Sequence, residues 1–382
     1  MLFEQIIGQK EVKNRLINSV NEGRISHAQL FLGEQGSGNL PLALAYAQYI
    51  MCEDKRVEDS CGVCSSCIKN NKLIHPDLHF VFPTANTEKA KGKPISELFL
   101  TEWREIVLEN QAYFTINQWQ DKIETENKSL LIPERDSGEI LKKLSLKTYE
   151  SEYKVIIIWF PEKFNNDSAN KLLKILEEPE PKTLFILVAH DAGQIMPTIL
   201  SRTQTLKIGH IDQKDLAQAL IHQFQITPQQ AENISLQADG NFIAAKNLIE
   251  SSEIEEQFYS LFTDWMRAAF KADVISLIGF SEEIQKIGRE KQKQFIAYCL
   301  HIFRESLITN FGAANLNKTS SNETQFLVKF APFIHGANCL EIIEIFNEAH
   351  YHIERNGNPK ILFLDVSFKL TKLLRVKAPV LD

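Results

Sequence analysis

The sequence predicts an α/β fold: a parallel sheet with flanking helices, followed by a small helical domain and an all-α C-terminal domain. Three observations carry this. Residues 154–206 read as strand, helix, strand. Val155–Ile158 is a short β-branched run with the length of a buried parallel strand, and Thr183–Val188 is a second. Between them Asn170–Glu178 places Leu172, Leu173 and Leu176 on one helical face, which completes a βαβ crossover of a doubly wound domain. Upstream, Gln29–Leu32, Gly33–Gly38 and Leu40–Ile50 give strand, glycine-rich turn and helix, the order of a P-loop. Beyond Glu253, apolar residues recur only at helical spacing.

The 382 residues suffice for two or three domains. An apolar fraction of 44% and a charged fraction of 24% are ordinary for a soluble globular protein. A net charge of -7 excludes a strongly basic, self-sufficient DNA binder, so any DNA contact should be local or shared. No apolar run reaches the ~18–20 residues of a membrane span, and MLFEQIIGQKEV lacks a signal-peptide core. A cytoplasmic location is expected.

In chain order, Glu11–Asn21 is a helix with Val12, Leu16 and Val20 at helical spacing. The glycine turn comes next. A working phosphate loop is G-x-x-x-x-G-K-[ST], its Lys reaching the β/γ-phosphates and its hydroxyl ligating Mg²⁺. Here Gly33, Gly36 and Gly38 remain, but Asn39 stands at the lysine position and Leu40 at the hydroxyl position. The frame of a nucleotide pocket persists without its charge. Backbone amides leave room for weak nucleotide binding, but efficient hydrolysis is not expected.

Cys52, Cys61, Cys64 and Cys67 follow, four of the six cysteines within sixteen residues. Free buried thiols or a redox Cys-x-x-Cys are the plain alternatives. The density and the two tight spacings favour four thiolates closing a tetrahedron around a structural Zn²⁺. Gly62 lets the chain turn between ligands, and His75 is a nearby fifth candidate. Leu78–Phe82 is the next strand.

Residues 83–131 are polar and turn-rich at first, then helical over Glu97–Asn110 with Leu98, Trp103, Ile106 and Val107 as the apolar face. Trp119 and Ile123 suggest another short helix. The aromatic content implies that part of this stretch packs on the domain or on a partner. Ser137–Tyr149 is a helix with Ile140, Leu141, Leu144 and Leu146 mostly inward. At the end of the next strand an active P-loop ATPase carries an acidic pair for Mg²⁺ and water. Trp159 and Phe160 stand there instead, with Glu162 two residues on.

The segments KLLKILEEP and ILSR, the opening FEQIIGQKEVKNRL and the cysteine module after the P-loop helix resemble the clamp-loader subunits of bacterial DNA polymerase III, which are AAA+ proteins. Against that family, 83–131 is an insertion, and the missing Lys, hydroxyl and acids match its non-hydrolysing delta-prime branch. The resemblance implies an AAA+-like domain over 1–209, a helical lid over 210–250 and an all-α collar over 251–382. It implies that Ser201-Arg202 is a finger motif, with Arg202 entering a neighbouring subunit's ATP site; the usual third residue, Cys, is Thr203. A helix cap or surface ion pair is the plain reading of Arg202. In the lid, Ile243 stands at an arginine sensor position, with Lys246 one turn on.

The collar is expected to contain helices over Glu255–Phe270, Ser281–Asn310, Asn322–Ile334, Cys339–Asn356 and Lys360–Leu374, the last carrying Ile361, Leu364, Val366, Leu370 and Leu373. A freestanding bundle is the alternative, and KIGREKQK at 286–293 reads as a solvated face. The implied partners are ATPase subunits and a clamp-opening delta subunit in a hetero-pentameric ring, with the sliding clamp and primed DNA reached through the complex and no membrane. The competing readings are an active tau/gamma-type ATPase subunit and a zinc-module nucleic-acid-binding protein.

Overall fold

The computed structural model describes residues 1–125, 128–310 and 321–377. The chain forms two compact units, Met1–Ile249 and Glu250–Asp382. In order, the first holds α1 (Lys10–Asn21), β1 (Ala28–Leu32), α2 (Asn39–Met51), α3 (Ser65–Asn71), β2 (Leu78–Val81), α4 (Leu100–Glu109) and α5 (Ile116–Lys122). There follow α6 (Glu134–Ser145), β3 (Lys154–Trp159), α7 (Asn166–Glu177), β4 (Thr183–Ala189), α8 (Pro197–Leu200), β5 (Gln204–Lys207), α9 (Gln213–Phe224) and α10 (Pro228–Gln237). The next helix, α11 (Phe242–Lys271), runs through the boundary between the units.

The five strands are all parallel, in the order β2-β3-β4-β1-β5. Every residue of β3 and β4 is buried, as a sheet covered on both faces requires. Alternation divides the strands between two cores. Val155, Ile157 and Trp159 pack with α2 and α4, while Ile156 and Ile158 pack with Ile140 of α6 and Leu172 and Leu176 of α7. The fold class expected from the sequence is the one observed. The carboxyl ends of β1, β3 and β4 lead into Gly33, Phe160 and His190, the edge of the sheet where open α/β domains bind ligands.

Several elements differ from expectation for identifiable reasons. Helix α7 starts four residues early because the Asn165 side chain accepts the Ser168 N–H at 2.8 Å and caps it. Helix α6 spans Glu134–Ser145 rather than 137–149. The buried Lys154 ammonium, at the start of β3, takes the Lys143 carbonyl (2.6 Å) and that of Leu146, closing the helix there. Of the four leucine and isoleucine side chains expected inward on it, Ile140 and Leu144 are buried, but Leu141 and Leu146 are exposed. Leu98 is exposed too, in a 3₁₀ turn ahead of α4. The edge strand β5, too short and polar to show a period, was not anticipated.

The second unit continues with α12 (Val274–Lys286), α13 (Arg289–Asn310), α14 (Ser321–Phe330), α15 (Cys339–Glu354) and α16 (Pro359–Leu373). The single helix expected over 281–310 is broken at Gly288, whose φ of +83° ends α12. The helix expected over Glu255–Phe270 is the second half of α11, which begins at Phe242. On α16 Ile361 is exposed, and Phe363, Val366, Leu370 and Leu373 face the core. Trp265 of α11 stacks on Phe280 (4.4 Å) and donates its indole N–H to Ser367 (2.8 Å). Residues 311–320 and 378–382 of the expected 251–382 domain, and 126–127 of the insertion, lie outside the described residues.

Candidate functional site

The glycine loop folds as a phosphate loop but is filled from within. Gly36 and Gly38 have φ of +90° and +99°. A Cβ on Gly36 would meet the Asn241 side chain at 2.0 Å, and one on Gly33 the Ile208 carbonyl at 2.4 Å. Asn241, just before α11, donates to the Gln35 carbonyl (2.8 Å), and the Phe242 N–H reaches Gly36 O (3.1 Å). Asn39 turns its amide onto the carbonyls of Gly33 and Ala189 (3.2 Å), locking the loop to the end of β4. Leu40 is buried. Neither side chain presents a cation or a metal ligand to the loop.

Across from the loop stands an aromatic cluster. Trp159, level with Val188 of β4, lies 5.2 Å from Trp103, 5.0 Å from Phe114 and 4.6 Å from Phe160, centroid to centroid. Phe160 adopts φ +56°, donates its N–H to Val188 O (3.0 Å) and stacks on His190 at 4.1 Å. Tyr113 is buried, packs edge-on against Phe242 (4.8 Å) and accepts the Ile7 N–H at 3.4 Å. Between these rings and Gly33–Leu40 the free volume is about 10 Å³, with Ile243 in its wall. That holds one water at most, against the ~300 Å³ or more of an ordinary ligand pocket.

Glu162, two residues beyond Phe160, is engaged with the end of β4. Its buried carboxylate accepts the N–H groups of His190 and Asp191 (3.0 Å) beyond β4. Burial pushes its pKa up and drives that of His190 down to about 4.

The four cysteines converge. Cys52 follows α2, Gly62 (φ +76°) turns the chain between Cys61 and Cys64, and Cys64 caps α3. Their sulfurs all lie within 4.8 Å of one another, and Cys61 Sγ is 3.9 Å from Cys67 Sγ. Zn–S bonds of about 2.3 Å in a tetrahedron put sulfurs roughly 3.8 Å apart, so the set fits a structural zinc. Backbone N–H groups of Cys61 and Cys64 point at Cys52 Sγ and Cys61 Sγ, both at 3.3 Å. The backbone N–H groups of Val63 and Cys64 hold the Cys61 thiol down to about 7, while burial raises Cys52 and Cys67. His75 is not in the cluster; its Nδ1 accepts the Asp77 N–H.

Arg202 follows the short α8. Its guanidinium pairs with Glu177 at the end of α7 (2.5 Å) and donates to Thr198 O (3.0 Å) and to Ser201 Oγ (3.3 Å). Thr203 turns its hydroxyl back to Ile199 O (3.2 Å). Arg202 keeps a third of its side chain in solvent.

The profile of the family described as DNA polymerase III, delta subunit, matches residues 8–212, more than half of the chain. The chain belongs to that family. Among curated relatives, the delta' subunit of DNA polymerase III from Bacillus subtilis is 28% identical over 65% of this chain and 61% of its own length. The tau subunit from the same organism is 23% identical over 94% of this chain and 60% of its own. The chain thus spans about 60% of these relatives. A gamma subunit-related protein of Thermotoga maritima aligns over 96% of this chain and 99% of its own at 15% identity and a TM-score of 0.37, too slight a likeness to argue from.

Within this clamp-loader family member, the degenerate-loop residues named from the sequence are brought together, and so are the four cysteines. Tyr113, Phe114 and Asn241 were missed. The signal for the first two was the aromatic density of residues 83–131 facing an aromatic strand end. Nothing local in the sequence marks Asn241. Among the described residues no helix is long and apolar enough to cross a membrane.

Proposed function

We propose that this clamp-loader family member is a non-hydrolysing subunit of the delta-prime type: it takes part in sliding-clamp loading as a ring scaffold and lends Arg202 to a neighbour's ATP. The observation that carries the reading is the closed loop. Asn39 is spent on carbonyls, and the rings of Tyr113, Phe114 and Trp159 leave about 10 Å³ where a nucleotide would lie. A chain whose loop is closed in this way would contribute to hydrolysis by what it presents outward. Ser201-Arg202, on a turn after α8 with solvent access, is the group able to do so. A guanidinium reaching the γ-phosphate of an adjacent subunit would neutralise charge developing on the transferring phosphoryl group.

Cys52, Cys61, Cys64 and Cys67 would hold a structural zinc, which would tie the end of α2 to the start of α3 with no open coordination position. The α-helical unit after residue 250 is the natural candidate for the collar that joins the ring, and partners of ATPase and clamp-opening type follow from the family. The test is reconstitution. The isolated chain should bind no Mg-ATP by calorimetry and turn none over, and a loader assembled from ATPase and clamp-opening subunits should depend on it for clamp loading. Brisk turnover by the isolated chain would overturn the reading.

A further inference from the structure

The second unit carries a surface chamber that none of these roles uses. It is lined by Met266, Arg267, Phe270 and Lys271 from the end of α11, by Phe326, Lys329 and Phe330 from α14, and by Phe333 and Leu374; its volume is about 240 Å³. The floor is apolar and fixed: Met266, Phe330 and Leu374 are buried, and Phe326 stacks on Phe330 at 5.0 Å. The mouth is apolar but wet. Phe270 and Phe333 meet edge to face at 4.8 Å, yet are 44% and 36% exposed. Two phenylalanine rings held half in water on a structured surface are characteristic of a place where another apolar group docks.

The rim decides what kind of group. All three charged residues lining the chamber are cations, Arg267, Lys271 and Lys329, in a chain whose net charge is -7. Among the described residues Arg267 pairs with Asp264, one turn back and 71% exposed, and Lys271 and Lys329 make no ion pair, although Arg267 and Lys271 also border a neighbouring cleft that carries Asp264, Asp273 and Glu283. Arg375 adds a fourth cation behind the wall, its guanidinium on the Phe270 carbonyl (2.9 Å). The cations come from two different helices, so they suit several carboxylates along a chain better than a single headgroup. The volume suits one or two side chains and is below that of an ordinary drug-sized site.

We infer that this chamber is a docking site for an acidic peptide segment of a partner protein, one bulky apolar side chain seated on Phe330 and its flanking carboxylates facing Arg267, Lys271 and Lys329. The test uses the full chain and fluorescence anisotropy of a short labelled peptide, a Phe-Leu pair flanked by Asp and Glu. Saturable binding is expected, weakened about tenfold by the exposed double substitution Lys271→Glu, Lys329→Glu and by raised salt, as rim charges dictate. A peptide with Lys in place of the acids should not bind, and one with Ala in place of Phe-Leu should bind at least about tenfold more weakly, since the anchor supplies the affinity. Binding unchanged by the double charge reversal, or equal for the Ala peptide, overturns the inference. So does self-association of the chain lost in the same variant, which would make a second copy the occupant, or displacement of the peptide by a simple fatty acid at lower concentration, which would make it a lipid site.

Discussion

The guanidinium of Arg202 rests 2.5 Å from the carboxylate of Glu177, which closes the helix preceding β4. Both side chains are one-third to one-half exposed, and an ion pair of that kind contributes only about 0–1 kcal/mol. The pairing therefore holds the arginine only weakly, and on the proposed finger role a Mg-bound triphosphate in a neighbouring subunit would be a stronger partner. Arg202→Ala should leave folding and assembly intact and slow ATP turnover by the assembled loader at least ~10-fold, toward the ~10³ or more that arginine fingers supply. Glu177→Gln, which keeps the helix end but not the charge, should hold turnover within about twofold, because it removes only a weak surface pair. Steady-state ATPase assays on the reconstituted complex read both; unchanged turnover with Arg202→Ala refutes the finger role.

Asn39 gives a test of the proposed closed loop. On the proposed reading, a lysine at this position should not create nucleotide binding, since the rings of Tyr113 and Trp159 line the remaining space. Asn39→Lys instead strips the amide from Gly33 O and Ala189 O and buries a cation. Losing these bonds should destabilise the first unit by about 1–3 kcal/mol or more. Thermal unfolding with and without Mg-ATP checks both halves: a lower midpoint and no ligand-induced rise are expected. A rise with ATP would mean that the cluster yields to nucleotide.

The parts of this structure that could be read from sequence are those governed by short periods. β3, β4 and α7 announce themselves as buried apolar runs and a leucine stripe, and the cysteine spacings describe a ligand set before any coordinates. What stayed hidden depends on contacts between distant segments. The side chain of Asn241 reaches Gln35 across 206 positions, and Trp103 finds Trp159 because the stretch around α4 folds back onto the sheet. An aromatic residue in a turn-rich stretch shows that it needs cover, not which surface provides it. Likewise Ile361 and Phe363 of α16 are equally apolar on paper, and only packing against α12 and α15 makes Phe363 the inward one.

The cysteine module offers a metal-removal experiment. Cys64→Ser should lower the bound zinc from about one equivalent per chain and reduce the stability of the first unit, as structural zinc binding is coupled to folding. Cys64 also caps α3, its sulfur accepting the Cys67 N–H. Serine keeps a capping oxygen, so a loss of stability would report the metal more than the cap. Strong chelation of the unaltered protein should produce the same shift in unfolding midpoint, while Cys299→Ser, in the other unit, should leave zinc content alone. Full zinc retention by Cys64→Ser would refute the four-ligand site.

Asp136, in the first turn of α6, gives a pH-dependent prediction. One carboxylate oxygen accepts the Ser96 N–H at 2.9 Å, and the other is buried with no hydrogen-bond partner. Burial raises its pKa from 3.8 to about 6. The folded protein therefore binds this proton more tightly than the unfolded chain does. Asp136 contributes nothing adverse below about pH 4 and opposes folding progressively as pH rises through about 6, by up to ~3 kcal/mol at neutrality. Asn in its place keeps the acceptor for Ser96 without the charge. Asp136→Asn should thus be the more stable protein at about pH 8, less whatever its unpaired amide costs, ~1–3 kcal/mol. That advantage should vanish or reverse by about pH 4. His79 and His190, both driven to about 4 by burial, destabilise the fold in acid, but they do so in both proteins and cancel in the difference. Urea unfolding of the two proteins side by side across this range measures the difference directly; one that does not change with pH would mean that the Asp136 carboxyl is not held protonated by its burial.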